Sequence, residues 1–397
     1  MEKTMELTGR EQGRRILRRL EQAGFQAYFV GGCVRDLLLG RPVHDWDIAT
    51  SARPEQVLAL FPHCVPTGLR HGTVSVLEGG GAFEVTTFRA DCGYEDGRHP
   101  DRVRFLPELR EDLRRRDFTI NAMAMDAGGV LTDLCGGRED LESGLIRCVG
   151  EPARRFSEDA LRLLRAVRFS AQLGFAIEPE TDRALEACAP LCARLSAERV
   201  RDEMEKTLLS PQPGALKRML ETGMLSSFGL AGSAPLRLTE RAACERAARW
   251  AALLVELPGL DLRRLRLDRK TAALCAAAAA AYRPSLTEAE LKRLVADRGW
   301  EVARCVCRIN GQAALADALA ASGQCVTLAQ LAVTGRDLPQ YGGRAVGVLL
   351  RELLAHVLEH PEENTKARLL ELAEAWGGRP GGAAPGDAGT ARADPGP

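Results

Sequence analysis

Residues 31–47 read GGCVRDLLLGRPVHDWD. An apolar run, Tyr28-Phe29-Val30, feeds into two glycines. An arginine, a leucine-rich turn of helix and the pair Asp45 and Asp47 follow. Such a pattern predicts a strand, a glycine turn that opens a short helix over Val34–Leu39, and a second strand over HDWDIAT. Glycine turns at a helix start suit phosphates, because free backbone N–H groups and the helix dipole both face the anion. Two carboxylates two residues apart on a strand share a face, with Cα atoms roughly 6–7 Å apart. They are placed to converge on one or two Mg²⁺ ions, which share their coordination with substrate phosphates. Alone, an Asp-x-Asp pair is common and reads first as two surface acids on a turn. The glycines and Arg35 upstream tip the reading to a site for a metal-bound nucleoside triphosphate.

Outward from this stretch, residues 9–23 carry helical apolar spacing, with Ile16, Leu17 and Leu20 on one face and Gly24 as the stop. Phe25–Val30 reads as a strand. Pro54–Leu60 reads as a helix capped near Ser51 or Ala52, and GTVSVLEGGGAFEVTTF (72–88) as a β-hairpin. The first ~125 residues therefore form a small α/β unit. After Arg147 strand signals nearly vanish. Helices are expected over Ser157–Gln172, Glu180–Cys188, Ala197–Leu209, Gly214–Thr222 and Leu238–Leu257. A further unit from about Thr327 includes a helix over Val346–Leu358. Residues 377–397 are rich in Gly, Pro and Ala and read as a disordered tail.

The 397 residues hold 54 Lys and Arg against 54 Asp and Glu, so bulk charge does not announce a nucleic-acid partner; a local basic face would be needed. Aromatic residues make up 5%, too few for a β-sandwich or a base-stacking platform as the main architecture. Twelve cysteines include no C-x-x-C and no zinc spacing, which suits small buried hydrophobes in a reducing cytosol. The charged, amphipathic N-terminus lacks a secretory core, and even TAALCAAAAAAY is too short to span a bilayer. A soluble cytoplasmic protein without membrane contact is expected.

Three further segments carry chemistry. Glu84, on the strand FEVTTF, is either a third carboxylate beside the Asp pair or an exposed strand glutamate. In EDLRRRDFTINAMAMD (111–126), the successive residues Arg114, Arg115 and Arg116 cannot all face one way. At least one is expected to point at the nucleotide, with the others toward solvent or RNA. Asp117 would fix a neighbouring arginine or cap the next turn; Phe118, Ile120, Met123 and Met125 read as core. In EDALRLLRAVRF (158–169), Asp159, Arg162, Arg165 and Arg168 recur every third residue opposite Leu161, Leu164 and Val167. That is either an ordinary amphipathic helix or a base reader. A carboxylate accepts from the exocyclic amino group of cytosine or adenine, while an arginine donates to a ring acceptor. Uracil and guanine would set a carbonyl against the carboxylate.

GGCVRDLLLGR, HDWDIAT, RRDFTINA, EDALRLLR and LSAERVRDEMEK, in this order over residues 25–225, resemble the motifs of class II CCA-adding enzymes, the tRNA nucleotidyltransferases of the polymerase-β-like superfamily. A weaker likeness runs on to LAVTGRDLPQYGGRAVGVLLRELLAHVLEHPEENT, similar to the tail of the long bacterial form, although GGRAVG lacks the Gly-Pro of many relatives. No HD phosphohydrolase domain is evident. The resemblance implies an α+β protein: a nucleotidyltransferase head of mixed sheet and helices (1–147), then an all-α neck (148–215), body (216–326) and tail (327–376). It implies stepwise addition of C, C and A to the tRNA 3′ end with CTP, ATP and Mg²⁺, and contact with the tRNA acceptor arm. By motif, Asp45 and Asp47 are the catalytic metal ligands. Gly32, Arg35 and Arg116 bind the nucleotide, and Asp159, Arg162, Arg165 and Arg168 read its base. The stretch around Glu198 and Arg199 steadies the neck helices. Close alternatives are an enzyme adding only CC or only A, and a bacterial poly(A) polymerase. PTGLRHGTVSVL (66–77) resembles the CCA form, and the loop Arg89–Phe105 is intact as in enzymes that complete CCA. An RNA-binding protein without catalysis is a different class, and the intact Asp pair speaks against it.

Overall fold

A computed structural model describes residues 2–69, 72–92, 102–105 and 108–377. Helix α1 (Glu2–Gln22) leads into strand β1 (Ala27–Val30), which turns at Gly31 into α2 (Gly32–Leu38). Strand β2 (Asp47–Thr50) and helix α3 (Pro54–Leu60) follow, then β3 (Cys64–Gly68) and the hairpin β4 (Thr73–Glu78) and β5 (Gly81–Thr87). Strands β6 (Arg89–Cys92) and β7 (Arg102–Phe105) pair antiparallel, so the two arms of the Arg89–Phe105 loop form a ribbon; its centre lies outside the described residues. Helix α4 (Leu109–Arg114) precedes β8 (Met123–Met125) and β9 (Leu131–Asp133). A seven-stranded sheet runs β3-β4-β5-β2-β1-β8-β9, with β2 and β5 parallel and the other pairs antiparallel. This is the mixed sheet with helices expected of the head. The sequence reading missed β3, whose central residues Val65, Pro66 and Thr67 are exposed and carry no alternating pattern, and β8 and β9, which are three residues each.

The two faces of the sheet differ. Phe29, Ile48, Val74 and Val85 are almost wholly buried, on the face where α1 packs its buried Ile16, Leu17 and Leu20. Gly13 permits that approach: a Cβ there would lie 2.5 Å from the Phe29 ring. On the opposite face, Leu109 and Leu113 of α4 cover Val30, Ala49 and Ala124. In register with Asp47, that second face carries Glu84 and then Ser75, and it is not sealed there. Asp47 thus sits at the margin between covered and open sheet.

Four local expectations need correction, the fourth of them in the helical region described next. Asp45 is not on a strand, because β2 starts at Asp47. Trp46 is buried against Phe29, ring centroids 4.8 Å apart, and this keeps the alternation that turns Asp45 and Asp47 to the same side. The cap of α3 is Arg53, since the Ser51 hydroxyl is engaged in accepting the Gln26 N–H at 2.9 Å. The continuous helix expected over Ser157–Gln172 breaks at Asp159 (φ −143°, ψ 105°) into α6 and α7, as described below.

Helix α5 (Gly137–Ser143) and the two-residue strands β10 (Leu145–Ile146) and β11 (Ala176–Ile177) lead into a helical region. It comprises α6 (Pro152–Glu158), α7 (Leu161–Leu173), α8 (Pro179–Cys188), α9 (Ala197–Leu208), α10 (Leu216–Glu221), α11 (Arg237–Arg241) and α12 (Arg246–Glu256). The expected Leu238–Leu257 helix is thus two. Helix α7 packs on α9, and α6 on α8. The chain forms two compact units that divide at Ala272/Ala273, within α13 (Arg269–Ala281). The second unit contains α14 (Glu288–Arg298), α15 (Trp300–Asn310), α16 (Ala313–Ala321), α17 (Arg344–Glu359) and α18 (Lys366–Gly377). Leu338, Leu353, Val357, Leu369 and Ala373 are buried together in it. The tail expected at 377–397 lies outside the described residues beyond Gly377. No disulfide joins the described cysteines, and no described helix is long and apolar enough to cross a membrane.

Candidate active site

The nine residues assigned to the site by motif all line one open cleft of 690 Å³: Gly32, Arg35, Asp45, Asp47, Arg116, Asp159, Arg162, Arg165 and Arg168. Its described lining holds nine Lys and Arg against four Asp, an excess of five positive charges in a chain of zero net charge. A triphosphate with its cation is the chemical class such a field selects.

The carboxylate end is built on β2 and β5. Parallel pairing sets Asp47 beside Glu84 in register. Burial pushes the Asp47 carboxyl up to about 6; Arg116 opposes the shift, while Glu84 and Asp45 add to it. Carboxylates that repel one another across a few ångströms fit a hard divalent cation, which would cancel that repulsion. No described group of three His, Cys, Asp or Glu side chains is arranged to hold a metal by itself. The donor set therefore fits a Mg²⁺ ion that takes part of its coordination from substrate phosphates.

Next to it, Gly31 has φ 75° and ψ −134°, a conformation open to glycine. A Cβ there would lie 2.9 Å from Arg116 Nη1 and 3.8 Å from an Asp47 carboxylate oxygen. The sequence reading chose Gly32; the residue whose backbone requires glycine is Gly31. We predict that Gly31→Ala weakens binding of a nucleoside triphosphate by about 10-fold, measured by calorimetric titration. Gly24→Ala is the control, since Gly24 has φ 87° but nothing within 4 Å of its Cβ position. Equal affinity for the Gly31 variant and wild type would remove the close approach from the site's design.

Each arginine is aimed by a partner. Buried Asp112 accepts from Arg115 Nε and Nη2 at 3.0 and 2.7 Å and from Arg116 Nη2 at 3.0 Å. Burial alone would raise its pKa, but the two guanidinium groups hold it below the usual carboxylate range. Arg114 instead pairs with exposed Glu111. Thus Arg116 and Arg115 reach the cleft and Arg114 faces outward, one of the arrangements expected for the triple. Asp117 does one of the two things foreseen for it: it fixes Arg165, whose Nε donates at 2.8 Å. The turn Thr119–Asn121 has no side-chain cap; Asp117 instead accepts the Phe118 N–H at 2.8 Å. Asn121 also donates to Asp117 at 3.1 Å and accepts from Arg35 Nη1 at 2.7 Å. A chain Arg35–Asn121–Asp117–Arg165 therefore joins α2 to α7.

At the other end the helix break matters. Asp159 leaves the helical path because its carboxylate accepts Leu161 N–H at 3.0 Å, a local bond that competes with the helical ladder. It is therefore not part of the i,i+3 stripe; it stands at the N-terminal end of α7, while Arg162, Arg165 and Arg168 lie along it. Arg199 holds the Asp159 carboxylate at 3.1 and 3.2 Å. Arg162 is locked by Glu158 at 3.0 Å and by the carbonyls of Arg155 and Arg115 at 2.8 and 3.1 Å. Arg168 pairs with buried Glu203 on α9. The guanidinium groups of Arg35, Arg165 and Arg168 stand 5.2, 5.2 and 4.0 Å from the ring centre of Phe169, which meets Phe118 edge-on. Of these anchors, sequence reasoning foresaw Asp117 and placed Arg199 only as steadying the neck helices; it missed Asp112, Asn121, Glu158, Phe169 and Glu203. The i,i+3 and i,i+4 spacings of Asp112 and Glu158 to their arginines were available to find two of them; Asn121 and Phe169 had no such signal.

Among known proteins, residues 27–147 match the family described as the poly A polymerase head domain, and residues 174–228 the one described as a probable RNA and SrmB-binding site of polymerase A. A curated CCA-adding enzyme from Geobacillus kaustophilus is 41% identical over 386 residues, 90% of this chain and 95% of that protein. One from Geobacillus stearothermophilus is 54% identical over 219 residues, 55% of this chain and 54% of the relative. At that higher identity the chain spans about half the length of the relatives it matches. The crystal structure of the Bacillus stearothermophilus CCA-adding enzyme in complex with CTP aligns with a TM-score of 0.78 at 38% identity, covering 92% of this chain and 98% of that one.

Proposed function

The chain belongs to the CCA-adding enzyme family, and we propose that it adds C, C and A in turn to the tRNA 3′ end, using CTP and ATP and releasing pyrophosphate. The observation that carries this is a single cleft joining Asp45 and Asp47 to Asp159 and Arg162 through a band of aimed arginines. In this reading residues 1–147 are the catalytic head, 148–215 the neck that reads the base, 216–326 the body and 327–376 the tail that meets tRNA. The protein works in the cytoplasm, where its substrate is.

Asp45 and Asp47 would hold Mg²⁺, with Glu84 beside them on the neighbouring strand. Bound there, the ion would supply Lewis-acid polarisation of the α-phosphate and acidify the attacking hydroxyl. The chain's own residues supply position and charge. Gly31 and Gly32 let the phosphates approach the backbone, and Arg35 and Arg116 offset the charge that shifts toward the leaving pyrophosphate. Asp159 accepts from the amino group of cytosine or adenine. Arg162, three of whose five N–H donors are already used, is fixed in direction before a base arrives.

This reading is tested by incorporation from CTP, ATP, UTP and GTP, each offered singly to tRNA lacking its 3′ end. Asp159→Ala should lose about 10- to 100-fold of its preference for CTP over UTP, with KM for tRNA within about twofold. Unchanged discrimination would remove Asp159 from base selection.

A further inference from the structure

Asp47 borders a second, smaller concavity. A 230 Å³ pocket opens over the sheet and shares Asp47, Arg89, Arg115 and Arg116 with the main cleft. It differs in its direction. The cleft extends over α2 and α7, whereas this pocket extends over β5 and β4, where Glu84, Thr86 and Thr73 form its floor. The catalytic carboxylate is therefore the seam between a strongly basic space and a hydroxyl-bearing one.

In-line phosphoryl transfer sets the attacking oxygen opposite the leaving group. With the nucleotide in the basic cleft, the acceptor needs its own place beside Asp47. The pocket's chemistry says which part of the acceptor it takes. Thr73 and Thr86 are register partners on adjacent strands, their hydroxyls 3.0 Å apart. Each hydroxyl donates one hydrogen bond and accepts others, the capacity that matches a ribose hydroxyl. No described aromatic side chain lines the pocket, so its described lining offers hydroxyls and charges and not a stacking face. A subsite that reads sugar and not base suits an acceptor whose last base changes at every step.

Resting on the CCA-adding reading above, we propose that this pocket holds the terminal ribose of the acceptor RNA, its 2′-hydroxyl on the Thr73–Thr86 pair and its 3′-hydroxyl toward Asp47 and Glu84. The site thereby distinguishes an RNA acceptor from a DNA one through β4 and β5.

The test is a cycle on the full-length protein. Acceptor tRNA ending in a ribonucleotide or in the corresponding 2′-deoxynucleotide is presented to wild type and to a Thr73→Val/Thr86→Val variant. Valine keeps the branched shape and strand preference of threonine. Wild type should lose about 5- to 10-fold in kcat/KM on the deoxy acceptor. The variant should show a similar loss on the ribo acceptor, no further loss on the deoxy one, and an unchanged KM for CTP. Thr86→Ser, which keeps the hydroxyl, should retain the ribose preference and separates its loss from a folding defect. Additive losses, a wild type indifferent to the 2′-hydroxyl, or a shift in the KM for CTP alone would overturn the assignment. Absence of wild-type addition to the ordinary acceptor would instead overturn the parent reading.

Discussion

Asp47→Asn should abolish nucleotide addition, lowering kcat by at least about 10³-fold, while the cation-free protein melts at a higher temperature than wild type. Both effects come from one cause. Burial, with Asp45 and Glu84 nearby, pushes the Asp47 carboxyl up to about 6. A carboxyl whose folded pKa exceeds its unfolded value favours the fold when neutral and costs stability as pH rises through that interval. At pH 7 the cost is about 1–2 kcal/mol once solvent exposure is discounted. Asparagine removes the cost along with the carboxylate proposed to hold the metal. Single-turnover rates and thermal melts in EDTA check the two halves. A variant that kept activity would take Asp47 out of the metal site. One that melted lower would show that the carboxylate is not held against repulsion.

Asp117→Asn should cause the largest loss of stability among the cleft residues, about 2–3 kcal/mol, or a fall of about 5 °C in melting temperature. The carboxylate is 8% exposed and meets Phe118 N–H, Asn121 and Arg165 together. The amide keeps the shape but leaves Arg165 without a counter-charge; Arg165 retains about a third of its side chain in water, which limits the loss. Burial would raise the Asp117 pKa, yet Arg165 and its hydrogen bonds hold it well below the usual carboxylate range. Its contribution is therefore present above the unfolded carboxylate pKa and disappears as pH falls through the folded one. The gap in stability between wild type and variant should hold from pH 7 to about pH 5 and close below about pH 4. Urea titrations across that range measure it, and a gap that widened in acid would contradict the assigned sign.

Much of this site is legible in local sequence because its chemistry is local. Gly31, Gly32, Arg35, Asp45 and Asp47 fall within one strand-turn-helix-strand unit, so spacing alone brings them together. The arginines of 162–168 are legible for a similar reason: helical period three sets them on one side of α7. What spacing hides is the competition between a side chain and its own backbone. Asp159 takes a local bond to Leu161 N–H and breaks the helix that periodicity would extend. Trp46 buries against Phe29, and Asp45 turns into the cleft from outside the strand. Longer range hides more. Arg35 and Asn121 are 86 residues apart, and Asp159 and Arg199 are 40 apart, so their pairing belongs to the fold. The basic field of the cleft is likewise invisible in a composition of equal charges. It exists because α2, the turn after α4, and α7 deliver arginines to one place, while Asp112, Glu158 and Glu203, which hold Arg115, Arg116, Arg162 and Arg168, lie outside the lining.

The central claim is that one cleft, without a nucleic-acid template, completes a fixed three-nucleotide end. Its most direct test is the 3′-end sequence of tRNA that begins without CCA and is incubated with the full-length protein, Mg²⁺, CTP and ATP. The account predicts C, C and A and then a stop, with a stop after the second C when ATP is withheld. A tract of A, or an end that remains at CC with both nucleotides present, would contradict it.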